Sequence, residues 1–154
     1  MPILHETLET RLSHDEAFAF VADFSNAAAW DPGVAWSKRL DATDGPATPL
    51  GLGSRFALGV RMGGRTAPME YAITTWEPPH RVVLTGSGSG VEAVDDIRFS
   101  PTAGGTRVDY TADIRLLGVM RLLAPFAGGA FAKIARNARD GMRRALDGRA
   151  LATR

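Results

Sequence analysis

Two changes of period along the chain predict an α+β fold, an antiparallel sheet curled around a long C-terminal helix. From about residue 34 to 117 apolar and polar residues alternate, as in strands with one face on a core and the other in water. After Gly118 the apolar residues recur every 3.6 positions, the mark of an amphipathic helix. The order is one strand, two short helices, about six strands and the long helix, which pack most simply as two layers. With 154 residues the chain is read as one domain, 1–154, since domains commonly run to ~100–150 residues.

The first strand is expected over residues 3–12, where Leu4, Leu8 and Leu12 share one parity. Ser13-His14-Asp15-Glu16 has the form of a capping box and starts a short helix. Phe18, Val21 and Ala22, at i, i+3 and i+4, give that helix its buried stripe. A second helical turn covers Ser25 to Trp30 and is stopped by Asp31-Pro32.

Among the strands, Phe56, Leu58, Val60 and Met62 alternate with Arg55, Ala57, Gly59 and Arg61. Met69, Tyr71 and Ile73 alternate with Glu70, Ala72 and Thr74, and Val108 to Leu116 repeats the pattern with charged residues between. Pro78-Pro79 and Gly104-Gly105 mark hairpin connections, and the runs Asp44 to Pro49 and Gly86 to Gly90 read as loops, the second as a hairpin tip. The helix is expected from about 119 to 148, bent at Pro125 and Gly128-Gly129. Its inward stripe holds Phe131, Ile134, Ala135, Ala138, Met142, Ala145 and Leu146, with Lys133, Arg136, Arg143, Arg144 and Asp147 on the other side.

Composition excludes several functions. Lys and Arg number 18 against 17 Asp and Glu, a net charge of +1, so no whole-molecule attraction to nucleic acid is expected. Without cysteine there is no disulfide, thiol nucleophile or Cys-ligated metal. His5, His14 and His80 form no pair at helical metal-ligand spacing. No metal or cofactor site is therefore expected. The N-terminus lacks a signal-peptide pattern and no segment reaches the ~20 apolar residues of a membrane span, so the expected location is cytoplasmic.

Several short segments carry a resemblance. Glu16-Ala17-Phe18-Ala19-Phe20-Val21-Ala22-Asp23 is followed by Trp30-Asp31-Pro32 and by Gly51-Leu52-Gly53-Ser54-Arg55-Phe56. Then come Trp76-Glu77-Pro78-Pro79-His80-Arg81, Asp95-Asp96-Ile97-Arg98-Phe99, and Gly105-Thr106-Arg107-Val108-Asp109-Tyr110-Thr111-Ala112-Asp113. In this order they resemble the polyketide cyclase/dehydrase and lipid-transport group of the START-like (SRPBCC, helix-grip) superfamily. The resemblance implies a seven-stranded antiparallel sheet gripping the long helix, with two short helices after the first strand. It also implies an internal cavity for a lipid, sterol, quinone or polyketide; some members cyclise or dehydrate a bound polyketide. Fold does not fix chemistry, which has to be argued from the site.

Strand parity and the helix stripe define the expected ligand-binding lining. On the sheet it comprises Phe56, Leu58, Val60 and Met62, then Met69, Tyr71 and Ile73, then Phe99 and Tyr110. The helix adds Phe131, Ile134 and Met142. The same residues would equally form an ordinary core. Asp95 has the parity of Val91, Ala93, Ile97 and Phe99 and is expected to point inward, as is Glu6 with Leu4 and Leu8. Desolvation would raise either carboxyl pKa, which is how an enzyme tunes a general acid or base; a bulge or a partnering arginine would make either one structural. Tyr71 or Tyr110 could orient a ligand carbonyl. His14 and His80 are expected to be exposed and His5 to point outward. Trp30 is expected to pack the short helices on the sheet or to stand, like Trp36, at the cavity mouth; Trp76 has the parity of the outer face.

Near the C-terminus Arg121, Lys133, Arg136, Arg139, Arg143, Arg144, Arg149 and Arg154 face only Asp140 and Asp147. That excess suits either weak contact with an anionic membrane surface or a solvated helix face. The leading reading is a carrier or sensor whose cavity binds a hydrophobic small molecule. The alternative is a cyclase or aromatase with Asp95 as general acid/base, and a third is an interaction module using the basic helix. Nothing in the pattern specifies an oligomeric state.

Overall fold

The computed structural model describes residues 3–40 and 49–152, so the loop expected at Asp44 to Pro49 lies outside the described residues except for Pro49. β1 (Ile3–Thr10) leads into α1 (His14–Ala22), a 3-10 turn (Phe24–Asn26) and α2 (Ala27–Trp30). Then come β2 (Val34–Arg39), β3 (Arg55–Met62), β4 (Arg65–Glu77), β5 (Arg81–Gly88), β6 (Val91–Thr102) and β7 (Gly105–Leu116). A second 3-10 turn (Gly118–Leu123) passes directly into α3 (Ala124–Ala152). The seven strands form one antiparallel sheet in the order β1-β7-β6-β5-β4-β3-β2. The expected α+β helix-grip architecture is the one observed.

Local chemistry explains most boundaries. Ser13 caps α1, its hydroxyl accepting from the Glu16 N–H at 3.4 Å, which satisfies one orphan donor of the first turn. β1 ends at Thr10, before Leu12, which is buried beyond the strand. Ser89 and Gly90 both have positive φ, 55° and 77°, and form the two-residue turn between β5 and β6. Gly86 is therefore strand, not tip. Pro125 is the second residue of α3 and stands in its first turn, where proline is tolerated, rather than in the helix interior.

Trp76 reverses the expectation of an outward side chain. A β-bulge between Ile73 and Thr75 inserts a residue and shifts the parity of the rest of the strand, so Trp76 packs against the core with Phe18 at 5.1 Å between ring centroids. Asp147, expected on the solvent side of α3, instead accepts from the Thr10 hydroxyl at 2.6 Å and from Arg11 N–H at 3.2 Å. These bonds, with Met142, Leu146 and Ala150 buried one turn apart, fasten the C-terminal half of α3 to the sheet. Where α3 crosses α2 the residue is Gly141, and any Cβ there would overlap the Trp30 carbonyl oxygen.

Candidate functional site

The fastened half of α3 holds its N-terminal half over the concave face of the sheet. Between them lies a cavity of about 260 Å³, walled by β1, β2, β3, β4, β6, β7, the two 3-10 turns, α2 and α3. Of the expected lining, Leu58, Val60, Met62, Met69, Tyr71, Tyr110, Phe131, Ile134 and Met142 reach it. Phe56, Ile73 and Phe99 do not, although all three are buried. Parity puts a residue on the concave face, but α1 and the first 3-10 turn already cover one end of that face. Phe18 meets Phe99 edge-on at 5.3 Å, and Phe24 packs on Phe56 at 6.3 Å. Ile73 lies on β4 between cavity-lining Tyr71 and the Trp76 that Phe18 covers.

The wall is apolar apart from a few groups. Asp95, on β6, is 6% exposed, and the Tyr110 hydroxyl on neighbouring β7 donates to its Oδ2 at 2.5 Å. Burial raises the Asp95 pKa to about 7, the nearby Asp31 charge adding to the rise and the Tyr110 hydrogen bond opposing it. Asp31, which follows α2, also lines the cavity; burial raises its pKa, against a hydrogen bond from Gly33 N–H at 2.8 Å.

Tyr71 completes the group. It pairs with Gly86 across β4 and β5, and a Cβ at 86 would overlap its ring, so the glycine lets the phenol lie across β5 in the direction of β6. Burial, then the charges of Asp95 and Asp31, hold the Tyr71 pKa well above its ordinary value. The Tyr110 phenol is shifted the same way, first by burial and then by Asp95.

Trp30 also lines the cavity. It is 3% exposed, its ring lies 6.0 Å from those of Phe24 and Tyr110, and its buried indole N–H has no partner among the described residues. Glu6 reaches the wall with the expected inward parity, where Arg139 of α3 donates to it at 2.8 Å. The remaining candidates lie elsewhere. His5 is exposed, and Trp36 lies outside the cavity on Gly59, 42% exposed. His80 is exposed as expected, but His14 is half-buried: its ring packs at a tilt of 52° against that of His80 and its Nε2 is 3.2 Å from the Phe99 carbonyl oxygen.

Asp31 is the residue that sequence reading passed over. It stands in the Trp30-Asp31-Pro32 segment, which reads as a helix stop, and no strand parity gives it a direction.

A family model described as polyketide cyclase/dehydrase and lipid transport matches residues 1–150. The chain belongs to this polyketide cyclase/dehydrase and lipid transport family. Solved structures similar to this family member include a START superfamily protein from Mycobacterium smegmatis, with 17% identity over 99% of both chains and a TM-score of 0.67. The Zhui aromatase/cyclase from Streptomyces sp. R1128 is 13% identical, over 97% of this chain and 93% of that one, with a TM-score of 0.72. A Thermus thermophilus protein is 14% identical, over 94% and 97%, also with a TM-score of 0.72. At such identities these likenesses show the fold. No curated protein matches the sequence. Among the described residues no helix of this family member is long and apolar enough to cross a membrane.

Proposed function

We propose that this chain binds a hydrophobic small molecule, of lipid, quinone or polyketide type, between sheet and α3 and serves as its carrier or sensor. The observation that carries this reading is the apolar cavity of about 260 Å³, close to the lower end of the ~300–1,000 Å³ common for small-molecule pockets. A few polar groups in such a wall orient a ligand. The unpartnered Trp30 indole N–H favours a ligand with an acceptor oxygen, because a buried donor left unpaired costs ~1–3 kcal/mol.

The Asp95–Tyr110 pair favours a second reading, a cyclase or aromatase that takes a proton from a carbon next to a ketone. Asp95, poised near neutrality, would accept that proton as general base and return it as general acid. With the Tyr110 hydroxyl donating to Asp95, Tyr71 is the phenol left to hold the enolate oxygen.

Displacement of an apolar fluorescent dye by fatty acid, quinone and poly-β-ketone probes tests the binding itself. Ala138→Phe, which fills the cavity from α3, should abolish it. With a probe that binds, Asp95→Asn separates the readings: intact binding and no turnover to lose supports the carrier, while intact binding with lost turnover supports the enzyme.

A further inference from the structure

We propose that the 3-10 turn Gly118–Leu123, with the adjoining face of α3, docks on an anionic lipid bilayer beside the opening of the cavity. Val119 is 82% exposed, Leu122 76%, Leu123 52% and Ile134 44%, a cluster of large apolar side chains that a water-facing surface has no use for. Leu123 and Ile134 also line the cavity. A residue that is both cavity wall and solvent-exposed marks where the cavity meets the surface, so the patch and the opening are continuous.

Charge identifies the occupant. No acidic residue occurs between Asp113 and Asp140, while Arg121, Lys133 and Arg136 fall in that interval, all three exposed and in no ion pair among the described residues. Arg115, in the same interval, faces Glu92 across the β6–β7 ladder with the parity opposite to cavity-lining Ile114 and Leu116. Of the cations nearer the C-terminus, Arg139 pairs with Glu6 and Asp140, Arg143 stands 4.0 Å from Asp140 and Arg149 lies over the Phe20 ring at 4.4 Å, while Arg144 is exposed with no ion pair among the described residues. More of the unpaired cations, Arg121, Lys133 and Arg136, thus fall in the 3-10 turn and the N-terminal half of α3, the part of the chain that carries the apolar patch. A second copy would bring the same positive patch and be repelled. Exposed apolar side chains in a stretch whose unpaired charges are all positive match the acyl boundary and anionic headgroups of a bilayer. Docking of this kind does not depend on what the cavity holds.

Cosedimentation of the full chain with vesicles of phosphatidylcholine, and of equal parts phosphatidylcholine and phosphatidylglycerol, tests it. The protein is expected on the mixed vesicles, with binding that weakens as salt rises. Val119→Asp combined with Leu122→Asp should lower that binding by about tenfold or more, as should Arg121→Glu combined with Lys133→Glu. Both pairs are exposed and outside the cavity wall, so far-UV circular dichroism and dye binding should match the parent. Failure of the parent to bind mixed vesicles would overturn the proposal, as would binding unmoved by either pair. Equally decisive against it would be a concentration-dependent dimer that the Val119/Leu122 change dissolves, which would assign the patch to a second copy.

Discussion

The Tyr110 hydroxyl donates to Asp95 at 2.5 Å across adjacent strands, inside a cavity whose wall is otherwise mostly apolar. Tyr110 faces Ile97 across the ladder and Asp95 faces Ala112, so the phenol reaches its acceptor along the diagonal, two residues away on the same face. The bond favours the carboxylate, and burial opposes it more strongly.

Stability should therefore fall as pH rises across this group's range. Asp95 keeps its proton in the folded protein up to about 7, whereas the unfolded chain releases it near ~3.9. Between those values the folded state binds the extra proton, so raising pH favours unfolding, with a ceiling of about 4 kcal/mol for the shift. Asp31, also raised, adds in the same direction. Asp96 and Asp109, held low by their arginine and hydroxyl partners, act oppositely and only at more acid pH. Urea unfolding from pH 4.5 to 8 should show the decline, and Asp95→Asn should flatten it, leaving the part due to Asp31.

Tyr110→Phe removes the donor and leaves the ring. The Asp95 pKa should rise further, moving the mid-point of its carboxyl carbon NMR titration to higher pH. At pH 8 the lost bond to a buried charge should destabilise the fold by about 1–3 kcal/mol.

Gly86→Ala should act through Tyr71 and through little else. The added methyl overlaps the phenol ring, and overpacking of this kind destabilises by about 1–3 kcal/mol. In a Tyr71→Ala background the overlap disappears, so a double-mutant cycle by urea unfolding should return a coupling of similar size.

Two glycines of α3 should respond with opposite sign. A methyl group added at Gly129 would meet nothing within 4 Å, so Gly129→Ala should raise stability by roughly 0.5–1 kcal/mol through helix propensity. At Gly141 the Cβ meets the Trp30 backbone carbonyl, and separating α3 from α2 should cost about 2 kcal/mol or more. Thermal melts of both variants decide the signs.

The fold was legible because period carries it: alternation placed the strands, the Ser13 cap placed α1, and the 3.6 stripe placed α3. Parity also aimed Asp95 and Glu6 inward, where the structure has them. It misdirected Trp76, because a bulge changes parity without altering composition. It could not separate Leu58, on the cavity, from Phe56 beneath Phe24, since both share one face and differ only in what packs above them. Asp31 and the Arg139–Glu6 pair depend on how α2 and α3 meet the sheet, a tertiary arrangement with no local signature.

The central claim is that the cavity holds a hydrophobic molecule. Native mass spectrometry of protein purified without detergent tests it most directly, followed by extraction and identification of the molecules that co-purify. The account predicts a stoichiometric apolar ligand, lost from the Ala138→Phe variant. Protein that is empty, and that takes up no lipid, quinone or polyketide-like probe when offered, would contradict it.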